Sequence, residues 1–455
     1  MTLVQNHRLP LNGNNLILLL LFIVGGCSSC SAKKIAATNK KVEVVAINTN
    51  HSSEIKTTPK EDSIKTKPVA IDIFDAEEKP KTTSKPIAVL NDDPNRIHNI
   101  VVLLPFNLDQ IPLGNYVDDS TKVLSADCKS AMDFYLGCQL ARQSYNSENF
   151  NLNVYFLDDK NDSLKTTSVF NAKPFPNVDY IVGPITGKNL KTASTLAKYN
   201  QITMISPVVN SMFIKNNPYY FNANASLKSQ YSFILDKLQA AKNNKTIEII
   251  YDGLDSTAES ISNLKYIVND VYKLSNVKYT SLRATDDVTK ALTTPDTLSE
   301  RLVLIYSSKD AYVKSIITKI KPVKNHFTIY TSSCLKNTKG LADLKLTDDV
   351  FTVYPYSSAS ANYANFADKF EDLYQKKPTD LSFQAFDIML HLFSTIEKNQ
   401  HLQDNAYNYT ADINNTQTKF QFKPVINKNG EIDFYDNTFM YLYKLNNGSF
   451  VLSNP

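Results

Sequence analysis

Short apolar runs alternate with helix-like segments from Asn99 onward, and this alternation constrains the fold more than any other feature of the chain. The first run, NIVVLLPFNL, is continuously apolar, as expected of a strand that is buried on both faces. The next segment, SADCKSAMDFYLGCQLARQSYNSE, has apolar residues at helical spacing, and Ser125 is a candidate N-cap. The series continues with LNVYFLDD, VDYIVGP, NLKTASTLAKYN and ITMISP. Strands that alternate with helices imply right-handed crossovers and a mostly parallel sheet.

A second series of the same kind begins after YYFNANAS. Its strand-like runs are KTIEIIYD, VKYTSL, RLVLIYSS, HFTIYTSS and VFTVYPYSS. Two amphipathic segments and a hairpin-like stretch then close the chain, and Asn429-Gly430 in INKNGEIDF is typical of a hairpin turn. We therefore expect an α/β fold made of two Rossmann-like lobes with parallel sheets.

The N-terminal segment has the features of a secretory signal. An apolar run, residues 16–24, follows Arg8 and is too short to span a bilayer comfortably, which takes about 20 apolar residues. Its end, Val24-Gly25-Gly26-Cys27, resembles the lipobox of bacterial lipoproteins. That resemblance implies that residues 1–26 are removed and that Cys27 carries a lipid that holds the protein to a membrane. The alternative is an uncleaved anchor helix. Ser28 follows Cys27 where an inner-membrane retention signal has Asp, which favours the outer membrane.

Residues 27–96 form a predicted disordered tether. This stretch is rich in Lys, Thr, Ser and Pro, as in EIKTTPKEDSIKTKP, and has too few apolar residues to offset the entropy of ordering. As a flexible coil it has a root-mean-square reach of roughly 45 Å.

Composition and motifs exclude several classes of function. The 49 basic and 45 acidic residues leave a net charge of +4, which gives no support to nucleic-acid binding. No phosphate-binding glycine loop, G-x-S-x-G or H-E-x-x-H pattern occurs, and the six His are scattered. We therefore expect no enzyme activity, no cofactor and no metal site. Cys128, Cys138 and Cys334 are expected to be small buried side chains.

The region from Asn99 to Pro455 resembles the type I periplasmic binding proteins, the group that includes branched-chain amino-acid receptors. Several landmarks of that family occur here in order. They are IVVLLPFNL, DFYLGCQLA, DYIVGPITGKNLKTASTLAKYNQITMISP, SFQAFDIMLHLF and NKNGEIDF. The resemblance implies two lobes joined by three crossings, with a ligand bound between them and hinge closure on binding. We expect lobe 1 at 97–223 and 353–400 and lobe 2 at 224–352 and 401–455.

The resemblance also implies where a ligand would bind, because this family holds its ligand in loops at strand exits. In lobe 1, Thr186 and Gly187 stand where the family has a Ser-Gly pair, and the loop SPVVN follows the next strand. In lobe 2, four polar residues follow strands. The candidate ligand-binding residues are Thr186, Gly187, Ser206, Asn210, Tyr251, Asp252, Ser307 and Ser333. Asp158 and Asp159 also follow a strand and are expected to be solvated loop acids.

Two functions remain open at this point. The first is a lipid-anchored receptor on the periplasmic face of the outer membrane, which binds a small polar ligand such as an amino acid or short peptide and serves a transporter protein. The second is an outer-membrane lipoprotein that regulates a peptidoglycan-synthesis protein and needs no small ligand.

Overall fold

The structure is a computed structural model of the whole chain. It describes residues 2–3, 44–45, 96–111, 124–145, 151–171, 178–208, 214–241, 245–253, 258–287, 292, 301–323, 326–341, 349–398, 402, 415–427 and 429–453. Apart from residues 2–3, 44–45 and 96, the predicted signal peptide and tether lie outside the described residues.

The described elements follow the alternating order that the sequence predicts. The strands are β1 (Thr2–Leu3), β2 (Val44–Val45), β3 (His98–Leu104), β4 (Leu152–Asp158), β5 (Tyr180–Val182), β6 (Thr203–Ser206), β7 (Tyr220–Asn222), β8 (Thr246–Tyr251), β9 (Val277–Ser281), β10 (Arg301–Tyr306), β11 (Phe327–Thr331), β12 (Asp349–Tyr354), β13 (Phe422–Ile426), β14 (Ile432–Asn437), β15 (Tyr441–Asn446) and β16 (Ser449–Leu452). The helices are α1 (Ala126–Ser144), α2 (Ser163–Asn171), α3 (Leu190–Tyr199), α4 (Leu227–Ala241), α5 (Ala258–Tyr266), α6 (Asp310–Ile320), α7 (Ala361–Tyr374) and α8 (Asp380–Glu397). Helix α5 continues into a π-helical turn, Ile267–Val271.

The chain divides into two compact units. The first contains the described residues of Thr83–Ala223 and Ser360–Lys419, and the second contains those of Asn224–Ala359 and Phe420–Pro455. Over the described residues from Arg96 onward, the chain therefore passes from one unit to the other three times. Two lobes joined by three crossings are the fold class that the sequence predicts.

The first unit is built on parallel strands in the order β7-β6-β5-β3-β4. Six of the seven residues of β3 are buried, as expected for a strand with both faces covered. Helix α1 begins at the predicted cap, because the Ser125 hydroxyl accepts a hydrogen bond from the Cys128 backbone N–H at 3.1 Å. Helices α1 and α8 approach closely at Gly137, where a Cβ atom would lie 2.2 Å from the Ser382 carbonyl oxygen. Any larger residue at this position would force the two helices apart.

The second unit has a seven-stranded sheet in the order β16-β15-β12-β11-β10-β8-β9. The strands from β9 to β12 are parallel, and β15 and β16 continue the sheet in antiparallel fashion. Alternate residues of β10 enter two different apolar clusters. Leu302 and Leu304 belong to one cluster, whereas Val303 and Ile305 belong to the other. Because successive side chains point to opposite faces, this sheet is covered on both sides.

Two further local predictions can be compared with the structure. The hairpin around Asn429-Gly430 is present, since β13 and β14 pair antiparallel and Gly430 has a φ of 78°. Cys128 and Cys138 are buried thiols as predicted, whereas Cys334 is partly exposed. The difference at Cys334 arises because it lies in a 3-10 turn just beyond β11 and not inside a core helix.

Candidate functional site

The loop after β5 carries the first predicted site residues, and Gly183 explains why the strand ends there. Gly183 has a φ of +95°, and a Cβ atom at this position would lie 2.6 Å from the Leu103 carbonyl oxygen. Only glycine fits this conformation and this close approach without strain. The chain then turns through Pro184 and enters helix α3. As a result, Thr186 and Gly187 lie in the exposed part of the turn, with Gly187 exposed and Thr186 half-buried.

Thr186 belongs to a polar network that local patterns in the sequence do not reveal. Its hydroxyl donates to Asn161 Oδ1 at 2.6 Å, and Asn161 Nδ2 in turn donates to Asp127 Oδ2 at 3.1 Å. The side chain of Asn189 donates to Asp159 Oδ2 at 2.8 Å and to Thr166 Oγ1 at 3.0 Å. The loops after β4 and β5 are thus joined through side chains. The donor function of the Thr186 hydroxyl is used inside the unit.

The expectation that Asp159 is a solvated loop acid is wrong. Its side chain is completely buried, and burial raises its pKa to about 6, against the hydrogen bonds from Asn161 and Asn189. The charges of Asp158 and Asp127 raise this pKa further. Asp158 accepts backbone N–H bonds from Asn107 and Leu108, so it fixes the loop after β3. Asp158 and Asp159 therefore hold the loops after β3 and β5 in position through hydrogen bonds.

The N-cap side chain of helix α3 does not bond the backbone N–H groups of the first turn. Asn189 is the N-cap residue but makes no side-chain cap hydrogen bond, because its side chain is turned toward Asp159 and Thr166. The Leu190 N–H bonds the Gly187 carbonyl oxygen at 3.4 Å. The next first-turn N–H groups have no partner within a helix, so this turn can offer them to an anion or a carbonyl oxygen.

Ser206 lies at the end of β6 and is completely buried. Its hydroxyl donates to the Pro184 carbonyl at 2.7 Å and accepts from the Val208 backbone N–H at 3.2 Å. Ser206 thus ties the exit loop of β6 to that of β5, and a direct ligand contact through it stays a prediction. Asn210, the next candidate, lies outside the described residues.

The four candidates of the second unit lie along one sheet edge. Tyr251 is the last residue of β8, and Asp252 follows it. Ser307 and Ser333 follow the carboxyl ends of β10 and β11, and the three strands are neighbours in the order β11-β10-β8. Each of the four is partly exposed. Ser307 Oγ accepts from the Lys309 backbone N–H at 3.1 Å, and Lys309 Nζ lies 3.9 Å from Asp252 Oδ2. The edge therefore combines a carboxylate, an ammonium, two serine hydroxyls and a tyrosine phenol.

Tyr231 holds this edge in position through hydrogen bonds to its backbone. In the sequence it is only one apolar position of a helical pattern. Its hydroxyl donates to the Ser307 carbonyl at 2.9 Å and accepts from the Ser307 backbone N–H at 2.7 Å. Ser332 also donates to the Ser307 carbonyl, at 2.9 Å. The neighbouring Gln230 accepts from the Ser333 backbone N–H at 2.9 Å. Burial raises the pKa of Tyr231, so the phenol stays protonated and keeps both bonds.

The described residues contain no group of three or more His, Cys, Asp or Glu side chains placed to hold a metal ion. Among the helices of the described chain, none is long and apolar enough to cross a membrane. The predicted lipidation site, Cys27, lies outside the described residues.

Comparison with known proteins identifies the family. Residues 135–447 match the family described as "Receptor family ligand binding region". The chain belongs to this family. The receptor-family match spans both units, and it includes every candidate ligand-binding residue named above.

Solved structures with the same fold include transporter-associated binding proteins. A putative branched-chain amino acid ABC transporter from Rhodospirillum rubrum is 12% identical with a TM-score of 0.55, covering 79% of this chain and 100% of that chain. An ABC-type branched-chain amino acid transporter from Rhodopseudomonas palustris is 12% identical with a TM-score of 0.49, covering 78% of this chain and 94% of that one. Full-length LpoA from Haemophilus influenzae is 13% identical with a TM-score of 0.49, covering 79% of this chain and 59% of that one. No curated protein matches the chain significantly. The family match and the likeness to the Rhodospirillum rubrum protein confirm the type I periplasmic-binding-protein fold.

Proposed function

We propose that this chain is a receptor for a small polar ligand, such as an amino acid or a short peptide. The proposal rests on the sheet of the second unit, at the edge where the strands have their carboxyl ends. Three adjacent parallel strands end there in partly exposed Tyr251, Asp252, Ser307 and Ser333. Ligands of open α/β sheets bind beyond the carboxyl ends of the strands, where loops from neighbouring strands converge.

The chemistry of this edge suits a zwitterion or a peptide. Asp252 can pair with a ligand ammonium, Lys309 with a carboxylate, and the serine hydroxyls can both donate and accept. In the first unit, the turn at Thr186 and Gly187 presents backbone N–H groups at a helix start, which suits a carboxylate. The receptor-family match and the fold shared with a putative branched-chain amino acid transporter support the same class of ligand.

We further propose that the receptor is anchored through a lipid on Cys27 at the periplasmic face of the outer membrane. The lipobox-like sequence before Cys27 and the Ser that follows it support this location. The polar stretch after Cys27 would let the two units reach partners in the cell envelope, including a transporter protein.

A second candidate function is supported by a different observation. The hydroxyl of Thr186 donates inside its own unit, and the hydroxyl of Ser206 is completely buried. A protein that regulates a peptidoglycan-synthesis partner needs no ligand at these loops, so hydroxyls that are satisfied internally fit that function. If binding assays find no small ligand, this function is the one to pursue.

Calorimetric titration distinguishes the two functions. The purified chain is titrated with amino acids, short peptides and muropeptides, and the receptor proposal expects saturable binding of at least one of them. Thr186→Ala removes the hydrogen bond to Asn161 that holds this turn. The loss of one hydrogen-bond partner costs about 1–3 kcal/mol, so binding should weaken by roughly five- to a hundredfold. Asp252→Asn should weaken the binding of any ligand that carries an ammonium group.

A matched control separates a local effect from a general one. Thr195 is an exposed threonine of helix α3 whose hydroxyl bonds only its own helix, to the Lys191 carbonyl. Thr195→Ala should leave binding unchanged. Binding that is insensitive to both Thr186→Ala and Asp252→Asn would refute the proposed residues, and no binding at all would favour the regulator.

A further inference from the structure

A cavity of about 300 Å³ lies within the second unit, and none of the strand-exit candidates lines it. One wall is the first half of helix α4, from Lys228 to Asp236, and the opposite wall is the β13–β14 hairpin. Tyr272 closes a third side. The volume is at the lower end of the roughly 300–1,000 Å³ of small-molecule sites, so it suits a ligand of a single ring.

Hydrogen bonds to Asp436 orient serine hydroxyl groups at the cavity before any ligand binds. Asp436 is completely buried and accepts from the hydroxyls of Ser226 and Ser229. Ser229 lines the cavity, and because its proton is used on Asp436, its oxygen can act only as an acceptor toward a ligand. The Asp436 carboxylate thus makes Ser229 a hydrogen-bond acceptor on this wall of the cavity.

The hairpin side offers the complementary groups. The Thr438 hydroxyl lies 2.9 Å from the Gln421 carbonyl and 3.3 Å from Gln421 Oε1, so it donates to Gln421 and presents its lone pairs outward. This contact uses the carbonyl end of the Gln421 side chain, so its amide nitrogen is the donor that this side chain can offer. The lining therefore offers both acceptors and a donor, as ligand hydroxyl and amide groups require.

The charged lining favours a neutral ligand. Lys228 and Lys423 are balanced by Asp236 and Asp436, which leaves the lining without net formal charge. A phosphate or another anion would lie near two carboxylates, and a cation would lie near two ammonium groups. Neither sign of ligand charge is favoured by the lining as a whole.

The remaining walls are apolar and partly aromatic. Phe233, Tyr272, Pro424 and Val425 contribute them. Tyr272 is held in position by a hydrogen bond from its hydroxyl to the Ser232 carbonyl at 3.2 Å. A ring with C–H groups on its faces and hydroxyls on its edge matches such a lining, since aromatic side chains pair a large apolar surface with polar neighbours.

We propose that this cavity binds one pyranose ring of an uncharged sugar, a hexose or an N-acetylhexosamine. The Thr438, Ser229 and Gln421 groups bind the ring hydroxyls or the acetamido group, and the aromatic side packs on the ring face. The site is independent of the strand-exit residues, so it stands whether or not a ligand binds there.

Saturation-transfer NMR on the full chain tests the proposal with glucose and N-acetylglucosamine as probes and inorganic phosphate and leucine as comparison compounds. At least one sugar should give a saturable signal. Thr438→Val keeps the side-chain shape but removes the hydroxyl, and it should weaken sugar binding roughly five- to a hundredfold. Thr318→Val, at an exposed position of helix α6, is the matched control and should change nothing.

A second variant covers the case in which Thr438→Val disturbs the hairpin. Ser232→Leu fills the cavity from helix α4 without touching the bond between Thr438 and Gln421, and it should abolish sugar binding in a folded protein. The proposal is overturned if neither sugar binds the wild-type chain, if phosphate binds as tightly as the sugars, if Ser232→Leu abolishes binding of leucine, or if a folded Ser232→Leu binds sugar as the wild type does.

Discussion

Asp387 provides a quantitative test of how helix α8 holds the first unit together. Its side chain is completely buried, and its two oxygens accept four hydrogen bonds. Thr416 donates its backbone N–H at 2.6 Å and its hydroxyl at 2.9 Å to one oxygen. The backbone N–H groups of Gln417 and Thr418 donate to the other at 3.0 and 3.1 Å. These contacts fix the chain just before it leaves the unit after Lys419.

The substitution Asp387→Asn keeps the size of the side chain but leaves only one acceptor oxygen. Whichever way the amide is oriented, its NH₂ group faces two donors, and leaving buried donors without acceptors costs about 1–3 kcal/mol each. Burial raises the pKa of Asp387 to about 6, so at neutral pH the wild type carries an ionisation cost of about 3 kcal/mol that Asn removes. Two unpaired donors cost about 2–6 kcal/mol together, about 4 kcal/mol at the middle of that range, so against a relief of about 3 kcal/mol we expect a net loss of about 1 kcal/mol at pH 7.

The pH dependence of this difference has a definite sign. The pKa of Asp387 is raised in the folded protein, from 3.8 to about 6, so the folded state binds this proton more readily than the unfolded state. The wild type therefore gains stability from this group as the pH falls from 7 through 6, whereas the Asp387→Asn variant has no carboxylate to protonate. The gap between wild type and variant should widen by about 1 kcal/mol between pH 7 and pH 5.

Urea unfolding followed by far-ultraviolet circular dichroism measures both quantities. Asp368→Asn is the matched control, because Asp368 is exposed on helix α7 and its change should stay within about 0.5 kcal/mol. A variant as stable as the wild type at pH 7 would refute the assigned role of the four hydrogen bonds. If the difference in unfolding free energy between the wild type and Asp387→Asn became smaller on acidification, this would refute the raised pKa of Asp387.

Three further predictions concern the membrane anchor, the tether and the second unit. Cys27→Ser should release the protein from membranes in cell fractionation, and retention in the membrane fraction would contradict lipidation at Cys27. A chain that begins at Asn95 should melt at the same temperature as the chain that begins at Cys27, and a clear drop in calorimetry would mean that the tether packs on the units. Glu248→Gln should destabilise the second unit by about 3 kcal/mol in urea unfolding, because it leaves the buried Arg301, 2.6 Å from the Glu248 carboxylate, without its counter-charge. An unchanged midpoint would show that this ion pair contributes little, and the exposed Glu371→Gln is its control.

Much of the fold follows from local patterns in the sequence. The continuous apolar run after Asn99 became β3, and the helical spacing after Ser125 became α1 with the predicted cap. The Asn429-Gly430 pair closed the β13–β14 hairpin. These signals depend on residues that are near in sequence, where side-chain period and turn chemistry decide the structure.

The candidate site was harder to predict, because it depends on contacts between distant residues. Periodicity places Thr186 at a strand exit, but it cannot show that the hydroxyl turns toward Asn161, 25 residues away. The contact between Tyr231 and Ser307 spans 76 residues. A buried Tyr and a buried Asp look like ordinary core and loop residues in a single sequence, so the roles of Tyr231 and Asp159 were not predictable.

Native mass spectrometry of the chain isolated from its own cells shows whether this protein binds a small polar ligand. We expect a species heavier than the polypeptide by the mass of one small polar molecule. Failing that, we expect this species to appear when the stripped chain is incubated with amino acids, short peptides or muropeptides. The same species should be depleted in Thr186→Ala and retained in Thr195→Ala. The mass of the lipidated polypeptide alone, from cells and after every incubation, would contradict the receptor function.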